Sequence, residues 1–243
     1  MTSLPRPILV GIGAAWAAAI GAQVAGVAAL ANHDSLLVGD GPPFVLAALI
    51  ALLAWQVMIA AMMLPSSLPL IRLFDAVSER QERPGRMRAA FLGGYVVVWT
   101  AFGAQAFLGD VGVHTMVDSF PWLRHHSWLI AGGVLAMAGA FQFSNLKDQC
   151  LSKCRQPGPY LMSHYRRGSG GAFRLGLGHG LYCLGCCWAL MLVMFAAGVA
   201  MLWWMAALTA VMVYEKTGRH GEAVTPVVGA ALLLLAALTM VYS

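Results

Sequence analysis

Charged residues are scarce in this sequence of 243 residues, since Asp, Glu, Lys and Arg together make up 10% of it and hydrophobic residues make up 60%. Soluble domains carry roughly 25% charged residues, so a soluble globule of this size would lack the polar surface that it needs. Residues 175–214 contain no Asp, Glu, Lys or Arg. The composition therefore excludes an ordinary soluble protein and predicts helices packed in a lipid bilayer.

The signatures of nucleotide-driven and hydrolytic chemistry are also missing. The chain has no G-x-x-x-x-G-K-[ST] loop, the motif that holds nucleotide phosphates, and no arrangement of a nucleophile with a base. These absences favour a protein that is not an enzyme. Any ion transport would be passive, coupled to a gradient or powered by a partner.

Seven apolar stretches approach the length needed to cross a membrane, which is about 20 helical residues. The charge-free segment 175–214 is too long for one span, so we divide it at a tight turn near Gly198–Met201. We predict an all-α, polytopic transmembrane helix bundle of seven spans, forming a single domain over residues 1–243. The predicted spans are residues 7–31, 44–71, 89–108, 127–146, 176–197, 201–215 and 223–241.

Basic residues are distributed unevenly among the loops that join these spans. Of the 15 Lys and Arg residues, all except Arg124 fall on the side that carries the N-terminus. Loops rich in Lys and Arg stay in the cytoplasm. The asymmetry therefore predicts a cytoplasmic N-terminus and an outer C-terminus. It also explains the net charge of +5 without a nucleic-acid partner.

The five cysteines form two groups, C-x3-C at Cys150 and Cys154 and C-x2-C-C at Cys183, Cys186 and Cys187. Both groups lie at or near the predicted cytoplasmic ends of helices, where reducing conditions disfavour disulfides. Cysteines in such a setting bind metal or perform redox chemistry.

Helical spacing places the second group on one face together with a histidine. His179, Cys183 and Cys187 are spaced four residues apart, Cys186 shares their face, and Met191 extends the stripe by one turn. Soft sulfur ligands select Cu(I), Zn(II) or Fe–S clusters, and a Met beside Cys favours Cu(I). We predict a Cu(I) site, with Zn(II) as the alternative metal. Its candidate ligands are His179, Cys183, Cys186, Cys187, Cys150, Cys154 and Met191.

The depth of the two cysteine groups presents a difficulty. If the fourth helix leaves the bilayer near Leu146 and continues, Cys150 lies about 6 Å outside it. If the fifth helix enters near Leu175, Cys183 lies roughly 12 Å inside. Either the glycine-rich chain before Leu181 stays non-helical, which would raise Cys183 to the interface, or the cysteines form two sites in series.

Two further features bear on the site. Pro65 is expected to kink the second span and to free a backbone carbonyl that Ser66 or Ser67 would satisfy, next to methionines that extend the metal path. Glu215 and Lys216 are expected to anchor the sixth span at the cytoplasmic edge, and Glu215 is also a candidate proton or metal ligand.

Several motifs of the chain are shared with a known family. Two of them contain the cysteines and have the patterns C-x3-C and H-x3-C-x2-C-C-W. The full set is Met62-Met63-Leu64-Pro65, Ala138-Gly139-Ala140-Phe141-Gln142, Leu146-Lys147, Cys150-Leu151-x-x-Cys154-Arg155-x-Pro157, Gly176-x-x-His179-Gly180-x-x-Cys183-x-Gly185-Cys186-Cys187-Trp188-x-Leu190-Met191, and Glu215-Lys216. In these residues the sequence resembles an uncharacterised bacterial family of predicted metal-binding integral membrane proteins. The resemblance implies a multi-pass protein of the bacterial inner membrane and no established reaction.

Three functions follow from these observations. The first is Cu(I) handling in transport, delivery or assembly. The second is a structural or accessory subunit of a larger membrane complex, and the third is a membrane thiol redox protein. The expected partners are the lipid bilayer and either other membrane subunits or a metal-delivery protein.

Overall fold

The computed structural model describes residues 6–28, 36, 42–126, 128–197 and 201–242, with the backbone alone for residues 195–197. Within these ranges the structure consists of helices and their connections and contains no strand, which confirms the predicted all-α class. The helices are α1 (Arg6–Val24), α2 (Phe44–Met58), a π-helical segment (Ile59–Met63), α3 (Leu64–Ser78), α4 (Pro84–Ser119), α5 (Pro121–His125), α6 (Trp128–Phe141), α7 (Asn145–Arg155), α8 (Pro157–His164), α9 (Ser169–Ala197), α10 (Leu202–Thr217) and α11 (Gly221–Val241).

Five helical stretches of the described residues are long and apolar enough to cross a membrane. They are Arg6–Val24, Phe44–Ser78, Pro84–Ser119, Ser169–Met194 and Gly221–Val241. Helices α6 and α7 pass the same test together but are bent by 64°, and counting them as one gives six. Helix α10 has 16 residues, fewer than the roughly 20 of a typical span. The structure supports a membrane protein, and the count of seven spans stays a prediction.

Several helix boundaries differ from those predicted. Helix α4 extends to Ser119, well beyond the predicted end at residue 108, and α9 already begins at Ser169. The predicted turn near Gly198–Met201 lies outside the described residues except for Met201. Because α9 is helical from Ser169 onward, the expectation that the chain stays non-helical until Leu181 is wrong.

The fourth predicted helix ends early, at Phe141, and the chain bends before α7. Ser144 caps α7, since its hydroxyl accepts a hydrogen bond of 3.2 Å from the Lys147 backbone amide. Such an N-cap starts a new helix in a new direction. The prediction that the cysteines of α7 continue the fourth helix is therefore wrong, because α7 is a separate helix that packs against α9.

Glycines bring α4 and α9 into backbone contact. A methyl group at Gly94 would collide with the Phe173 carbonyl, and one at Gly176 would collide with the Phe91 carbonyl. Small residues at helix interfaces permit such close approach in membrane proteins. This contact fixes the position of Tyr95, on α4, relative to the histidine and cysteines of α9.

The second span contains a π-helical turn before its proline. Pro65 has no N–H to donate to the preceding turn, and the Ala61 carbonyl of that turn accepts a hydrogen bond of 3.1 Å from the Trp16 indole. Ser66 donates to the Met63 carbonyl at 2.8 Å. The Ala61 carbonyl is thus satisfied by α1 rather than by a serine as expected, and Met62 and Met63 are both fully buried.

Candidate functional site

All five cysteines are buried, free and part of one core cluster. Helix α7 supplies Cys150 and Cys154, and α9 supplies the other three. A methyl group at Gly185 would lie 2.5 Å from Cys150 Sγ, so the glycine lets α7 rest directly on α9. The Cys154 and Cys186 thiols lie near each other in this cluster. The bend before α7 brings the two cysteine groups together.

The α9 thiols turn back towards their own helix and towards the π-helical segment. Cys186 and Cys187 donate hydrogen bonds to the Cys183 carbonyl at 3.1 Å and 2.8 Å. The Cys187 sulfur also lies 3.6 Å from Met63 Sδ. Cysteines from two helices and a thioether from a third segment therefore share one apolar interior.

A buried lysine lies against these sulfurs. Lys216 is 5% exposed, and its Nζ donates to Ser66 Oγ at 3.0 Å and to Cys183 Sγ at 3.1 Å. Cys187 Sγ lies 4.0 Å from the same Nζ. Lys216 is therefore enclosed by neighbouring helices at the end of α10, and its role as an anchor at the cytoplasmic edge stays a prediction. In the sequence, the burial of Lys216 is indicated by its spacing of four residues from Met212, which is also buried and lies on the same helix face.

His179 reaches the cysteines through a chain of hydroxyl groups. Its Nε2 lies 3.0 Å from Ser67 Oγ, and Ser67 donates to the Tyr95 hydroxyl at 3.3 Å. The Tyr95 hydroxyl lies 3.1 Å from Cys183 Sγ. Sequence reasoning did not identify Tyr95, because a lone tyrosine in an apolar helix carries no ligand signal. The histidine is thus linked to Cys183 by hydrogen bonds.

A buried ion pair joins the end of α10 to α7. Lys147 and Glu215 are both buried, and Lys147 Nζ lies 2.8 Å from Glu215 Oε2. The other carboxylate oxygen, Oε1, has no hydrogen-bond partner among the described residues. Arg155 donates to the Glu215 carbonyl and to the Gly218 carbonyl. These contacts fasten the cysteine-bearing α7 to α10.

The predicted ligands form a sulfur-rich interior rather than a preformed metal cage. Met191 is fully buried in the same core as the cysteines. Among the described residues, no group of three or more His, Cys, Asp and Glu side chains has the arrangement of a metal site. The reason is visible in the contacts, since two thiols point to the Cys183 carbonyl and an ammonium touches Cys183. The donor chemistry nevertheless suits Cu(I).

The comparisons with known proteins agree with this donor chemistry. A family model described as "PpoB2: Copper chaperone" matches residues 52–239, which include every cysteine, His179 and Lys216. No curated protein and no solved structure matches the chain. The chain belongs to the PpoB2 copper chaperone family.

Proposed function

We propose that the protein is a membrane-embedded chaperone that binds Cu(I) in its cysteine cluster and passes it to a partner protein. The observation that carries this proposal is the convergence of free, buried thiols from α7 and α9 beside Met63. Thiolate and thioether sulfurs together are the ligands that Cu(I) prefers. Helix α7 is held in place by its own buried contacts, so the convergence is built into the fold.

The order of the sulfurs suggests a route for the ion. Cys150 and Cys154 are 9% and 8% exposed, whereas Cys183 and Cys187 are inaccessible. Cys154 lies near Cys186 in the same cluster, and this proximity supplies a step from α7 to α9. In this proposal Cu(I) enters or leaves through the α7 thiols and moves by exchange of one sulfur ligand at a time.

The remaining predicted ligands take supporting places in the proposal. His179 is hydrogen-bonded to Ser67, which in turn donates to the Tyr95 hydroxyl beside Cys183. Through this chain of hydrogen bonds His179 orients the Cys183 sulfur. His179 is also available as a ligand when its ring turns. Met191 lies one turn beyond Cys187 and extends the sulfur-lined interior. Zn(II) is the alternative metal for the same thiols.

The proposed setting is the bacterial inner membrane, with seven spans and a cytoplasmic N-terminus. The asymmetry of Lys and Arg supports it. The partner would be a metal-delivery protein or another membrane subunit on the cytoplasmic side, where α7 and α8 lie in this topology. Reporter fusions after Arg124 and after Pro159 are expected on opposite sides of the membrane, and finding both on one side would contradict this topology.

Metal analysis of the purified full chain tests the function. We expect about one Cu(I) per chain, because the sulfurs form a single cluster of soft ligands. The ion should be largely lost in a Cys186→Ala, Cys187→Ala double variant and kept in Met162→Ala, which removes an exposed sulfur. Equal copper in the wild type and the double variant would refute the proposal. A reversible disulfide without tight metal binding would favour a redox protein, and neither response would favour an accessory subunit.

A further inference from the structure

Lys216 is a buried cation without a carboxylate partner among the described residues. The nearby carboxylate, Glu215, is 2.8 Å from Lys147 and forms its ion pair there. That pair is balanced, so Lys216 adds a net positive charge to the protein interior. An isolated buried charge is costly unless a group of opposite charge compensates it. A group of negative charge beside Lys216 would offset this cost.

The groups that face the Lys216 ammonium are hydroxyls and sulfurs. It contacts Ser66 and Cys183 directly and lies 4.0 Å from Cys187 Sγ. Cys186, Cys154, His179 and the paired Glu215 also lie near enough to interact with it electrostatically, and Tyr95 lies on the far side of Cys183. Among these groups, the sulfurs of Cys183 and Cys187 lie within 4.0 Å of Nζ and carry negative charge when they bind a metal ion as thiolates.

Charge balance then points to a particular metal complex. A Cu(I) ion bound by two thiolates carries one net negative charge, and an ammonium beside it brings the total to zero. Cys183 and Cys187 flank the ammonium, and the neighbouring Met63 thioether can add a third donor without adding charge. A Zn(II) ion bound by the same two thiolates is already neutral, so the ammonium would leave an uncompensated positive charge in the interior.

We propose that Lys216 is a specificity residue whose fixed charge neutralises a Cu(I) dithiolate formed by Cys183 and Cys187 and disfavours divalent ions there. This inference rests on the proposed function, since it presumes that the cluster binds Cu(I). The ammonium acts through its charge and its hydrogen bond to a ligand sulfur, and it does not bind the ion.

Competition with chelators tests the inference on the purified full chain. Affinities for Cu(I) and for Zn(II) are measured for the wild type, Lys216→Met, Lys216→Arg and Lys153→Met, the last of which removes an exposed lysine of α7. Lys216→Met is expected to lower Cu(I) affinity by at least about tenfold, because a charge-assisted hydrogen bond to a ligand is lost. It should leave Zn(II) affinity unchanged or raise it, while Lys216→Arg and Lys153→Met should keep the preference for Cu(I).

The change in the ratio of Cu(I) affinity to Zn(II) affinity distinguishes a specificity residue from a residue that only packs in the core. If Lys216→Met leaves the ratio of the two affinities unchanged, or weakens both metals equally, the inference is wrong. If the wild type binds no Cu(I), the proposed function fails, which is a different result from an unchanged ratio in a protein that does bind it. Lys216→Gln, which is also neutral, replaces Lys216→Met if the latter does not fold.

X-ray absorption spectroscopy of the Cu(I)-loaded wild type tests the inferred ligands without a variant. Two short copper–sulfur bonds are expected, with at most one longer bond to a thioether. Three or four thiolate ligands would overturn the inference, because the charge of such a complex would exceed that of one ammonium.

Discussion

Replacing Gly185 with alanine tests whether the contact between α7 and α9 assembles the site. The added methyl carbon would lie 2.5 Å from Cys150 Sγ, whereas non-bonded atoms of this kind prefer separations of roughly 3.5–4 Å. Helix α7 must then move by about 1–1.5 Å, and overpacking of this kind costs typically about 1–3 kcal/mol. Because α7 also carries Cys154, the movement should separate that thiol from Cys186.

Two measurements follow the effect of Gly185→Ala in detergent. The free energy of unfolding should fall by about 1–3 kcal/mol, and a short bifunctional thiol reagent should link Cys154 to Cys186 in lower yield, as quantified by peptide mass spectrometry. Gly170→Ala is the matched control, since it lies on the same helix and its added methyl group meets nothing within 4 Å. If the two variants give equal stabilities and equal cross-linking yields, the reasoning about this contact is refuted.

Two other contacts give predictions of the same kind. Lys147→Met should destabilise the fold by about 3–5 kcal/mol, because it leaves the buried Glu215 carboxylate uncompensated, and adding Glu215→Gln should recover part of the loss in the same denaturation assay. Gly176→Ala should lower the thermal midpoint, because its methyl group meets the backbone carbonyl of Phe91. Gly93→Ala is the control, since the contact there is an ordinary one at 3.9 Å, and equal midpoints would contradict the proposed backbone contact.

The sequence is sufficient to predict the parts of the fold that depend on local composition. Long apolar stretches with few charges specify helices, and the structure is all-helical over the described residues. The spacing of His179, Cys183 and Cys187 predicts a shared face, which requires an unbroken helix, and α9 is continuous across them. Helical periodicity is a local property, so it can be read without knowledge of the tertiary structure.

Features that depend on tertiary contacts were not predicted. Phe143 and Leu146 extend the predicted span past Phe141 and conceal the bend that the Ser144 cap introduces. Lys216 was counted with the loops, because lysines are rarely buried without a partner. Its hydrogen-bond partners are Cys183 and Ser66, which are distant from it in sequence. No local sequence pattern reveals that these residues meet in the fold.

The π-helical turn at Ile59–Met63 holds an extra residue in the second span without disturbing the helix on either side. A π turn accommodates one more residue than an α turn, so deleting one residue within it would restore a regular helix and leave Ser66 facing Lys216 and Ser67 facing His179. Deleting a residue from the regular helix α2 would instead rotate the end at Phe44 by about 100° against the rest of the span. The effect of a deletion within the π turn would therefore fall on the turn itself, which carries Met63, the thioether beside Cys187.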